Sequence, residues 1–238
     1  MTLRSALFAL AAVAATLTLS ACVPGASAGG SPTPTPSPTI AAEPTPTPTP
    51  EPVAAAITVS AEAIAVLDER DATLASFDYF TPAADVVAGL SEYLGAPVSS
   101  PHPGGGESAP GTVHEWGGLR ITDPDEPAAA APYSVDYWVN VTGPDANGLP
   151  VGAPAGVGSP AGVHVGDPFT SVTLLDESVA EWTDADGRPR AFTRVGLVPL
   201  PPGGGEYGDS PSFGILVTGF TDDDAVTDLR APSPNWGN

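Results

Sequence analysis

The 238-residue chain carries 28 Asp and Glu against 7 Arg and no Lys, a formal net charge of -21. A surface this negative repels nucleic acid and anionic lipid headgroups, which removes both as partners. The single cysteine, Cys22, leaves no intramolecular disulfide to form and no second thiol for chemistry elsewhere.

The first element is a leader. Arg4, an apolar run from Ala6 to about Leu19 and small residues before Cys22 give the order of a secretory signal over residues 1–21, with an apolar core short of the roughly 20 residues that span a bilayer. The tetrad Leu19, Ser20, Ala21, Cys22 resembles a bacterial lipobox, which implies cleavage before Cys22 once its thiol carries a diacylglyceryl group. The resemblance therefore implies a lipoprotein held on the extracytoplasmic face of the cell membrane, its membrane contact made through palmitate-type chains on Cys22. Two or three such chains, at about 0.8 kcal/mol per buried methylene, anchor a protein stably.

Residues 22–56 read as a linker. Ser31 to Pro52, SPTPTPSPTIAAEPTPTPTPEP, lacks the apolar residues of a core and stays disordered in composition. Alternating Pro favours polyproline II at about 3.1 Å per residue, a spacer of up to ~60 Å.

Beyond the linker, Ala63 to Leu67 and Thr73 to Phe77 flank a charged turn at Asp68 to Asp71 and predict a hairpin. In FTPAADVVAGLSEYLGAP, Thr81 is the expected N-cap, Pro82 the first helical position, and Val86, Leu90 and Leu94 recur at helical spacing before Gly95 and Pro97. Strands are expected over Val113 to Thr122 and Tyr133 to Val141. After a Gly/Pro-rich connector over residues 146–161, Asp167, Pro168 and Val172 repeat the cap, proline and apolar spacing of the first helix. Further strands fit Arg190 to Val198, Phe213 to Gly219 and Val226 to Arg230, with turns at Asp184 to Gly187 and Asp222 to Asp224.

PGGGE occurs at Pro103 to Glu107 and at Pro202 to Glu206, each time between an expected helix and a strand. The shared order predicts an α+β fold of two tandem helix-plus-antiparallel-sheet repeats, over residues 57–145 and 162–238. Element order resembles the tandem αβββ arrangement of β-lactamase-inhibitor-protein-like domains. The text DYFTPAADVVAGLSEYLGAP, HEWGGLRITD and VGDPF is similar to uncharacterised lipoproteins of high-GC Gram-positive bacteria, a resemblance that implies location and no activity.

Catalytic signatures are missing: no GxSxG, SxxK or HExxH occurs. His102, His114 and His164 fit no metal spacing, and no cofactor or metal site is expected. Asp and Glu at 123, 125, 126 and 222–224, and DADG at Asp184 to Gly187, read as turn chemistry, with a weak calcium site as the alternative although the full EF-hand pattern is missing. The PGGGE loops lack the Lys of a phosphate loop and place a carboxylate beside the glycines, so they read as exposed, poorly ordered connectors.

The remaining candidate is aromatic. Alternation along Tyr133 to Val141 turns Trp138 away from the apolar face, and in the preceding strand it groups His114, Trp116 and Arg120 unless Gly117 and Gly118 reset the register. Trp138, Trp116, Arg120 and His114 thus form a candidate binding face for a cell-envelope protein or glycan. The sequence points to an extracytoplasmic binding or accessory module rather than an enzyme. An inhibitor or chaperone of secreted enzymes, as the αβββ resemblance implies, and an envelope hydrolase are the alternatives.

Overall fold

The computed structural model describes residues 52–105, 109–125, 134–172, 180–200 and 211–235. The leader, Cys22, the Pro/Thr stretch, the second PGGGE copy and the last two residues of the first lie outside them.

The chain enters through a three-stranded meander, β1 (Ala54–Val59), β2 (Ala63–Asp68) and β3 (Thr73–Asp78). The β2–β3 turn forms where its charges predict it, because Asp68 Oδ1 accepts the N–H groups of Arg70 and Ala72 at 2.8 and 2.9 Å. A helix, α1 (Ala83–Leu94), follows and buries Ala83, Val86, Leu90 and Leu94. It starts one residue later than expected: Pro82 is the N-cap, while Thr81 turns its hydroxyl to Asp78.

Four strands then run back and forth: β4 (Val98–His102), β5 (Gly111–Trp116), β6 (Leu119–Pro124) and β7 (Trp138–Val141). The single strand expected over Val113 to Thr122 is a hairpin, since Gly117 at φ 59° reverses the chain and pairs Trp116 with Leu119. A short hairpin, β8 (Asp145–Ala146) and β9 (Leu149–Gly152), occupies the Gly/Pro-rich stretch, and β9 runs parallel to β1. The last four strands are β10 (Ala180–Thr183), β11 (Pro189–Pro199), β12 (Ser212–Phe220) and β13 (Ala225–Asn235).

These strands make two sheets, one ordered β3-β2-β1-β9-β8 and one ordered β10-β11-β12-β13-β7-β6-β5-β4. The expected α+β pair of tandem helix-plus-sheet repeats is therefore corrected: the described residues hold one α-helix and a strand-rich, two-sheet fold. Where the second helix was expected there is a single 3-10 turn, Phe169–Ser171. Its residues are aromatic or β-hydroxylated and favour a helix weakly. Asp167 does not cap it, but bends back to accept the His164 N–H at 2.8 Å. The turn is instead pinned from outside, with the Asp224 carboxylate accepting both the N–H and the hydroxyl of Thr170 at 2.7 Å.

Both sheets and α1 contribute to one core, in which Trp116, Tyr79, Tyr137, Ile57, Ile64, Leu90, Leu119, Ile121, Ile215 and Leu229 are the largest fully buried side chains. The end of α1 is tied to the sheets by Trp116 Nε1, which donates to Gly95 O at 2.8 Å, and by Asn147 Nδ2, which donates to Leu94 O at 3.0 Å. No helix among the described residues is long and apolar enough to cross a membrane.

Tyr79 and Tyr137 meet at a tilt of 50° with ring centroids 5.3 Å apart and donate to Ser60 O at 2.7 Å and Phe77 O at 2.9 Å. Burial pushes both phenols well above their ordinary value of 10.0. An unfolded chain ionises these groups near pH 10 and the folded chain does not, so the stability they contribute is present below that pH and lost as pH rises beyond it. In an alkaline absorbance titration, Tyr79 and Tyr137 should ionise only as the chain unfolds. Tyr137→Phe should cost about 1 kcal/mol at neutral pH, the ordinary value of one hydrogen bond.

Candidate binding face

In an antiparallel pair, directly opposed residues share a face of the sheet. One row across the eight-stranded sheet runs Glu115, Arg120, Asn140, Arg230, Leu216, Arg194, on β5, β6, β7, β13, β12 and β11. The neighbouring positions on each strand turn the other way, and these are core residues: Leu119, Ile121, Val139, Val141, Leu229, Val217 and Val195. The row therefore lies on the outer face.

The four candidates read from the sequence separate on this sheet. Trp138, opposite Thr122, and Arg120 both stand on the outer face, with Trp138 41% exposed. Trp116 is 0% exposed on the inner face beneath the end of α1. His114 opposes Ile121 on that same inner side, where its Nδ1 shares a 2.9 Å hydrogen bond with Ser99 Oγ on the edge strand. The turn at Gly117 and Gly118 is the cause. By reversing the chain it places Arg120 opposite Glu115, whose carboxylate it meets in an ion pair, instead of on the side of His114 and Trp116.

The sequence reading missed the larger part of the face. Trp182, Arg190, Phe192, Arg194, Thr218, Phe220, Asp228 and Arg230 stand together on β10 to β13, in register through Trp182 with Arg190, Phe192 with Thr218, and Thr218 with Asp228. A signal was available: Arg190, Phe192 and Arg194 alternate with Ala191 and Thr193, so a strand must set all three on one side.

Guanidinium groups and rings are interleaved here. Arg188 lies 3.4 Å and Arg190 4.7 Å from the Phe220 ring centroid, Arg190 5.6 Å from that of Trp182, and Arg194 6.0 Å from that of Phe192. Asp228 joins two arginines, its Oδ1 accepting from Arg230 Nε at 3.0 Å and its Oδ2 lying 3.4 Å from Arg190 Nη2. Arg190 also donates to Thr227 Oγ1 at 2.7 Å, while its buried Nε has no partner among the described residues. Arg194 Nε donates to Ser233 Oγ at 3.2 Å. Between them a shallow cavity of about 210 Å³ is lined by Trp182, Arg190, Phe192, Leu216, Thr218 and Arg230.

Five of the chain's 7 cationic side chains, Arg120, Arg188, Arg190, Arg194 and Arg230, thus share one sheet face. Arg188 is neutralised by Asp222 and Asp223 at the β12–β13 turn, which lowers the Asp222 pKa below its ordinary value. The acidic turn residues expected to be structural have these uses. Asp222 and Asp223 hold Arg188, Asp224 holds Thr170, and Asp184 Oδ1 accepts the N–H groups of Asp186 and Arg188.

The Ser99–His114 pair is the described arrangement closest to a nucleophile with a base. Asp123 lies near enough to His114 to feel its charge, and its own pKa is raised, chiefly by burial. Among the described residues no carboxylate hydrogen-bonds the second ring nitrogen of His114, so the orienting third group of a catalytic triad is missing from the pair. No family model matches the chain, and no curated protein or solved structure matches it either.

Proposed function

We propose that the protein is a lipid-anchored, extracytoplasmic binding module of the cell envelope, tethered through Cys22 and acting through the outer face of its eight-stranded sheet rather than by catalysis. The observation that carries this reading is the gathering of Arg120, Arg188, Arg190, Arg194 and Arg230 with two half-exposed indoles, Trp138 and Trp182, on one face of a chain of net charge -21. Trp and Arg are the side chains through which binding surfaces concentrate their energy. A solvated face with no partner gains nothing from exposing two indoles. The inhibitor alternative drew its support from tandem αβββ repeats, which the described residues do not form.

The anchor and the face have separate tests. The mature protein should carry a diacylglyceryl group on Cys22 by mass spectrometry, and Cys22→Ala should abolish both that modification and the cleavage before residue 22. An unmodified Cys22 ends the anchored reading. For the face, retention on an isolated envelope fraction should fall at least tenfold in the double variant Arg194→Gln, Trp138→Ser, with the thermal melt unchanged; undiminished retention ends that part of the reading.

A further inference from the structure

We infer that the outer face binds an acidic glycan, laid across the strands, that carries one carboxylate on every second sugar residue. This rests on the proposal that the face is a binding surface and adds the chemistry of what binds. Strands lie about 4.8 Å apart, so residues in one row on alternate strands stand about 10 Å apart. Arg194 on β11, Arg230 on β13 and Arg120 on β6 occupy alternate strands of the row, with Leu216 and Asn140 between them. From Arg194 the row reads cation, apolar, cation, amide, cation, and it ends on the Glu115 carboxylate that pairs with Arg120. One hexose advances a glycan by roughly one strand separation. An acid on every second residue therefore meets a guanidinium each time, and the neutral sugars fall on Leu216 and Asn140.

The cavity beside Arg230 supplies the second part of the match. Its lining pairs two guanidinium groups with Trp182, Phe192 and Leu216, and its volume of about 210 Å³ admits one sugar ring, not a folded loop. Trp182, 40% exposed at one end of the face, and Trp138, 41% exposed nearer the other, present flat indoles on which the apolar faces of sugar rings stack.

Charge complementarity holds locally although the chain is acidic overall. Among the described residues the five guanidinium groups of the face meet four carboxylates, Glu115, Asp228 and the Asp222 and Asp223 that hold Arg188, which leaves a small positive excess, and Arg194 is the one without a carboxylate partner. An acidic peptide fits less well. The row lies on a sheet face, where backbone groups are already paired, so an extended peptide gains no main-chain hydrogen bonds. Trp182 and Phe192 touch, with ring centroids 5.7 Å apart, but guanidinium groups lie against both rings, so the face offers a protein partner little dry apolar centre.

The test is a titration of the purified full chain, in detergent, with a hyaluronan octasaccharide, whose acid falls on alternate residues, followed by tryptophan fluorescence and calorimetry. Octagalacturonate, a neutral chitin oligosaccharide and poly-glutamate are the comparison probes. Hyaluronan should bind best and lose about tenfold or more in affinity in 0.5 M salt, in Arg194→Gln and in Arg230→Gln, and several-fold in Trp182→Ala; the neutral sugar should not bind. Arg194→Gln is decisive if Arg230→Gln disturbs Asp228, because Arg194 holds no carboxylate among the described residues. The inference is overturned if no acidic glycan binds, if poly-glutamate binds as well as hyaluronan, or if Arg194→Gln leaves hyaluronan affinity unchanged. Envelope retention that still depends on Arg194 and Trp138 in that event would leave the binding module standing and remove only its glycan.

Discussion

Trp116→Ala should cost about 4 kcal/mol of folding stability, whereas Trp138→Ala should change it by less than about 0.5 kcal/mol. The two tryptophans sit on adjoining parts of one sheet and were candidates for the same role. Trp116 is 0% exposed, packs opposite Leu119, and donates through Nε1 to Gly95 O, the carbonyl just past the end of α1. Truncation leaves a cavity under the helix and removes the donor that ties the helix end to β5. Trp138 loses only contact with solvent and its neighbours on the outer face. Urea unfolding of both variants checks the difference; Trp116→Phe, which refills most of the cavity without the donor, should fall between them. Envelope binding should show the reverse order, with Trp138→Ala impaired and Trp116→Phe intact.

Gly118→Ala should destabilise the protein by about 3 kcal/mol through overpacking. A Cβ at Gly118 would stand 2.5 Å from Gly143 Cα and 2.7 Å from Gly143 C and N, all backbone atoms. Neither strand end can retreat easily. Thr142 N donates to Gly118 O at 2.7 Å and Gly118 N donates to Asp145 O at 2.8 Å, closing the two turns on each other. Gly143→Ala brings its Cβ only to 3.0 Å from Gly118 Cα and should cost less, about 1 kcal/mol. Because the same turn decides that Arg120 faces outward, Gly118→Ala should also weaken envelope retention. Thermal melts of the two alanine variants establish the order.

Local patterns in the sequence carried the elements whose cause is local. The β2–β3 hairpin forms at its predicted turn, and the apolar stripe of α1 and Val135, Tyr137, Val139 and Val141 are buried as their spacing predicts, although the strand expected over Tyr133 to Val141 is extended into a ladder only from Trp138. The second helix was misread because a proline-led cap and one apolar residue four positions on describe a single 3-10 turn as well as a helix. What settles the difference is Asp224, more than 50 residues away in the chain. The parallel pairing of β9 with β1 was invisible for a similar reason: β9 lies in a stretch whose glycines and prolines read as a connector, and its partner lies at the other end of the described first half.

The outer face proposed for binding was half legible. Trp138 and Arg120 could be named from alternation, yet grouping Arg120 with Trp116 and His114 required Gly117 and Gly118 to continue a strand that they reverse. Arg190, Phe192 and Arg194 announce a common side by their spacing alone. That this side continues into Arg230 and Asn140 depends on β13 pairing with β7, a register between distant segments that no local pattern encodes.

Photo-crosslinking in growing cells addresses the face most directly. A benzophenone side chain at Trp138 or Trp182 on the outer face should give an adduct with envelope material. The same group at Asp71, exposed at the β2–β3 turn, should give none. Adducts from Asp71 equal to those from Trp138 and Trp182, or no adduct from either tryptophan position, would contradict a binding role for this face.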